Sequence, residues 1–159
     1  MNNEKLQIYT ARITQANRSE LIVIMYELLL EDMNEAVDCM SQDNLEEYER
    51  KIKHAGKYIN ELIQSLDFAY PISYDLLQLY IFVNKQLVTA MIKKEISYVN
   101  SAIKIMQCLK IGFDEVAKRD ESEPLMKNSQ QLYAGLTYGR GMLNEQSIDP
   151  AYLNRGYKA

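Results

Sequence analysis

The sequence predicts an all-α protein: an antiparallel up-down four-helix bundle with a short N-terminal cap segment and an irregular C-terminal tail. Three observations lead there. Apolar residues recur in alternating steps of three and four along most of the stretch from Glu4 to Arg119, the period of one buried helix face. That stretch holds few breakers, namely Gly56, Pro71 and Gly112. No segment alternates with period two for long, so a sheet has no pattern to build on. At 159 residues, 47% hydrophobic and 25% charged, the chain has the size and composition of one domain with a real core.

The N-terminal segment, residues 1–16, contains LQIYTARI, whose Leu6, Ile8, Tyr9 and Ile13 are too apolar to leave in water. It is expected as a short helix or strand lying on the bundle. The first long helix spans 17–41: Asn17 and Glu20 fit a capping box, and Ile22, Met25, Leu29, Met33, Ala36 and Met40 form its seam. A second, 43–68, opens on the pair Asp43 and Glu46 and carries the unbroken seam Leu45, Tyr48, Ile52, Ala55, Ile59, Leu62 and Leu66. Pro71 stops it, and Ser73 can cap a third helix over 73–93 with Leu76, Tyr80, Val83, Leu87 and Ala90 inward. The fourth, 96–118, uses Val99, Ala102, Met106, Leu109, Phe113 and Val116, and joins the third near Lys94 and Glu95 without a breaker. Connections this short favour antiparallel neighbours. Residues 120–159 hold four of the six glycines and two of the three prolines, which marks 1–119 as the helical domain and the rest as a loosely ordered tail.

The run LIVIMYELLL, residues 21–30, has nine apolar or aromatic residues in ten. An amphipathic helix needs only about a 100° apolar stripe, and a membrane span needs roughly 20 such residues. Beside the seam, Leu21, Ile24 and Leu28 make a second stripe. Leu77, Ile81, Asn84 and Val88 likewise flank the seam of 73–93, and Ile103 and Ile105 that of 96–118. Either the N-terminal segment permanently covers the extra stripe, or the stripe belongs to a groove for a partner helix and the segment is a removable lid. Periodicity leaves both open.

Chemistry finds little to work with. His54 is the one histidine, so a di-iron bundle with its two Glu-x-x-His pairs is excluded, and no catalytic residue, metal site or cofactor is expected. HAGK, with His54 and Lys57 three apart, admits a histidine phosphotransfer bundle as an alternative, although Tyr58 stands where that family has glycine. GLTYGRG lacks the lysine and hydroxyl ending of a phosphate loop. Cys39 and Cys108 fit reduced, buried thiols. A formal net charge of −4 argues against a nucleic-acid partner. MNNEKLQIYT does not have the pattern of a signal peptide, and no membrane insertion is expected.

The stretch YTARITQANRSELIVIMYELLLEDMNEAV resembles the N-terminal half of the flagellin export chaperone family, FliS. Gln15-Ala16-Asn17-Arg18 stands at the family's helix start, and Ile24-Met25-Tyr26-Glu27 at its Met-Leu-Tyr-Asp-like run. HAGKYINELIQSLD and LLQLYIFVNKQLVTAMIKK are similar to later family patterns, so the likeness covers residues 8 to 117. Departures are the lost Ser-Pro start and Phe113 where tryptophan is common. The resemblance implies a cytoplasmic chaperone, not an enzyme, that binds the C-terminal segment of flagellin, prevents premature polymerisation and assists type III export. Export gate components are further implied partners, and a homodimer is a candidate assembly. It also tips the reading toward a groove, here expected from Leu21, Ile24, Met25, Leu28, Tyr80 and Leu87, with Ile8 and Tyr9 as the cap.

Overall fold

The computed structural model describes residues 3–126, and among them every regular element is a helix: α1 Asn3–Gln15, α2 Arg18–Ser41, α3 Leu45–Gln64, α4 Ile72–Lys93 and α5 Ile96–Arg119. The expected tail beyond 126 lies outside the described residues. The N-terminal segment is a helix, the first of the two forms expected for it.

Helix boundaries follow local chemistry. The Asn17 side chain accepts from the Glu20 N–H while the Glu20 carboxylate accepts from the Asn17 N–H, a complete capping box. At α3 the cap is one residue later than expected. Asn44 accepts from the Glu47 N–H, and Asp43 instead takes the left-handed conformation (φ 57°) that turns the chain out of α2. Aspartate tolerates that region better than most residues. Ser73 does not cap α4 either. It lies inside the first turn, buried, and its hydroxyl donates to the Asp67 carbonyl at 2.6 Å. The joint with no breaker closes on Lys94, also left-handed at φ 57°.

The four long helices close a ring: α2 packs on α3 and α5, and α4 packs on the same two. Inside it, Tyr26, Leu29, Met33, Tyr48, Ile59, Leu62, Val83, Leu87, Val99 and Met106 are buried. The α4 seam is buried as predicted throughout. On α2 the seam differs: Tyr26 points into the core, and Ile22 and Met25 are only partly buried beside it. Three buried tyrosines keep their hydroxyls satisfied, as burial requires. The Tyr26 and Tyr80 hydroxyls bond to each other, and Tyr48 donates to the Ala90 carbonyl at 2.9 Å. Burial pushes all three phenols up, so they stay protonated donors. Among the described residues no buried side-chain polar atom lacks a partner. Cys39 is half-buried and Cys108 exposed, a correction to the expectation of two buried thiols.

Candidate partner-binding surface

What covers the oily side of α2 is α1, and the way it does so is mostly polar. Lys5 pairs with Glu31 and Arg12 with Glu27, two ion pairs one α1 flank apart, both partly open to solvent. Each pairing raises the pKa of its base through the hydrogen bond to the carboxylate. Between them Tyr9 is half-buried. Its phenol is pushed up by burial first and by Glu27 next, and the Arg12 guanidinium lies 5.6 Å from its ring centre. No residue of α1 belongs to the core cluster or to the apolar residues packed against it.

The α1–α2 joint is tied down from a third direction. After α5 the chain crosses it as a strap: the Asn17 amide donates to the Asp120 carbonyl at 2.9 Å, and the Leu125 N–H to the Ala16 carbonyl at 3.1 Å. The Ser19 hydroxyl donates to the Asp120 carboxylate and holds its pKa below the usual aspartate value. Beneath the joint lies a cavity of about 270 Å³ lined by Arg12, Gln15 and Ala16 of the α1 end, Glu20, Val23 and Ile24 of α2, and Ala117 of α5.

The residues expected to form one groove are divided. Ile24 lines the cavity under α1, and Leu21, Met25 and Leu28 are half-buried along the same helix. Tyr80 and Leu87 are instead core residues, 2% and 1% exposed, because the α4 seam that buries them cannot also face a groove. Leu87 touches a different cavity, between α3 and α4. Of the two cap residues, Tyr9 faces α2 but Ile8 is 56% exposed. Neighbours on a helix lie about 100° apart, so only one of the pair can face α2.

A second apolar surface stands out only in the structure. Ile72, Tyr74, Ile81, Phe82, Val88 and Ile92, all on α4, are exposed, and of these Tyr74 packs against the Phe68 ring with centroids 5.3 Å apart. The sequence signal was present in Ile81 and Val88, the residues beside the seam. The cavity on this side, about 200 Å³, is lined by Ile52, Lys53, Gly56, Lys57 and Asn60 of α3 and Asn84, Leu87, Val88 and Met91 of α4.

His54 sits elsewhere. Its Nδ1 is hydrogen-bonded to buried Asp32, and its ring packs edge-on against Tyr58 with centroids 5.0 Å apart. Lys51, which shares Asp32 with it, is also paired with Glu35. An incoming phosphoryl group would meet carboxylates here, so the phosphotransfer alternative finds no support. Among the described residues no group of three or more acids, cysteines and histidine is gathered for a metal, and no helix is long and apolar enough to cross a membrane.

The model of the family described as flagellar protein FliS matches residues 1–120, the helical body and the start of the strap. The chain belongs to the FliS family. It therefore has a flagellar chaperone role in general, and the FliS match takes in α1 as well as the ring of four long helices. A comparison with curated proteins finds no match.

Proposed function

We propose that this chain binds the C-terminal segment of flagellin on α2, in the place that α1 covers in the free protein. The observation that supports this most is that the core closes without α1. Every residue of the core cluster comes from the four long helices, which we take as an antiparallel up-down bundle. The cover can leave and the bundle still stands. In this reading Leu21, Ile24, Met25 and Leu28 are the floor of the groove, with Tyr9 as the main cover residue. Tyr80 and Leu87 support the floor from the core.

The energetics favour exchange. Surface ion pairs contribute about 0–1 kcal/mol each, so releasing Lys5 and Arg12 costs little. A disordered flagellin tail loses chain entropy when it orders on α2. Each Leu- or Ile-sized side chain it buries returns about 1.5–3 kcal/mol, and several offset that loss. The covered state keeps α2 from self-association in the cytoplasm while cargo is absent, and the bound state keeps flagellin from polymerising before export. Export gate components would then meet the loaded carrier.

Ile24→Asp tests the site. Calorimetry with a flagellin C-terminal segment should show binding lost while helical circular dichroism is retained. Unchanged affinity would remove α2 from the site.

A further inference from the structure

We propose that residues 120–125 are a latch on the hinge between α1 and α2, which holds α1 down and has to let go before α1 can leave. The latch regulates the cargo site, and so rests on the reading of α1 as that site's cover.

The hinge is where α1 is pinned. Of residues 4–15 only Thr14 is buried, and burial continues past the helix in Ala16 and Asn17, 2% and 5% exposed. The rest of α1 is held by the Lys5 and Arg12 ion pairs and by Tyr9. Residues 16 and 17 are the only two between α1 and α2, so a swing of α1 turns on them. The strap grips both, one through the Leu125 N–H and the other through the Asp120 carbonyl.

The strap has a fixed end and a releasable one. Asp120 is the fixed end, with its polar groups all engaged. Its N–H donates to the Ala117 carbonyl of α5, and its carbonyl accepts from the Asn17 amide. Its carboxylate accepts from the Ser19 hydroxyl and from the Ser122 N–H. Asn17 caps α2 and Ser19 lies in its first turn, so this end stays with the ring. Leu125 is the releasable end. The carbonyl it reaches lies in the peptide between Ala16 and Asn17, and a swing that turns this peptide breaks the bond. The side chains of 121–126 are all exposed, so the strap leaves by exchanging hydrogen bonds with water and uncovers no apolar core. The cavity beside Ala16, Glu20 and Ala117 gives the hinge space to turn without repacking the ring.

A closed latch lowers apparent cargo affinity by the fraction of chains whose hinge is open. By reciprocity, cargo that displaces α1 weakens the hold of the strap.

Two substitutions in the full chain open the latch through different atoms. Leu125→Pro removes the N–H that reaches Ala16, at an exposed position outside every helix. Asn17→Asp keeps an acceptor for the Glu20 N–H, and with it the α2 cap, but loses the donor to Asp120. In both variants amide exchange should quicken several-fold across residues 3–15 and keep the parent's rates in α3 and α4. Calorimetry should show a flagellin C-terminal segment binding both several-fold more tightly. In the parent saturated with that segment, the Leu125 amide should lose protection together with residues 3–15. Unchanged exchange of 3–15 in both variants would overturn the proposal. So would an equal rise in α1 and α4, which would make the strap an ordinary part of the bundle, or a Leu125 amide still protected once 3–15 has opened. Faster exchange of 3–15 with flagellin affinity unmoved would uphold the latch and remove the cover reading instead.

Discussion

The joint between α1 and α2 differs from the joints among α2, α3, α4 and α5 in what crosses it. Across the ring run buried tyrosines, leucines and methionines whose polar atoms are all satisfied inside. Between α1 and α2 run two partly exposed ion pairs and one half-buried tyrosine. Apolar burial is lost only when the whole core opens, whereas exposed ion pairs exchange readily with water and salt. The chain thus sets an apolar body beside a first helix held largely by polar contacts.

Breaking the body should have the largest effect. Tyr26→Ala removes a fully buried ring and strands the Tyr80 hydroxyl, so chemical denaturation should show a loss of about 3–5 kcal/mol. Breaking the cover should barely register in the same measurement. Lys5→Ala with Arg12→Ala should lower global stability by less than about 1 kcal/mol, while amide exchange in α1 rises sharply and that in α4 stays unchanged. A cooperative loss of both would mean that the two regions are one. The smallest effect sharpens the comparison from within the body. The Lys51 ammonium holds the Glu35 carboxyl below its ordinary value at the α2–α3 joint. A group with a lowered folded pKa contributes above its unfolded value, about 4.3, and its contribution fades as pH falls through the folded one. The gap between the parent and Glu35→Gln should therefore be a few tenths of a kcal/mol near neutrality and vanish in acid. Thermal melts across pH measure it.

Much of the body was legible because heptad seams are redundant. In α4 every predicted seam position is buried. Where nearly every residue is apolar, periodicity carries no phase, and the seam drawn through Met25 in LIVIMYELLL passes over Tyr26, the residue that is buried. A long-range partner decides between them: the Tyr26 hydroxyl finds that of Tyr80 across the ring. Capping patterns were ambiguous at Asp43 and Asn44 for a related reason, since both have a glutamate three residues on, and only the backbone turn selects Asn44. The cover was legible as apolar residues needing shelter, but not which of Ile8 and Tyr9 it shelters. Assigning Tyr80 and Leu87 to both a seam and a groove asked one helix face to do two things. The exposed track on α4 was legible only as residues beside a seam, because its bareness depends on where α1 lies.

The most direct test of the removable cover is hydrogen exchange on the full chain with and without a flagellin C-terminal segment. The cover reading predicts that residues 3–15 exchange faster than the ring in the free protein and lose their remaining protection when flagellin binds, as α2 gains it. Unaltered protection of 3–15 in the saturated complex would contradict it.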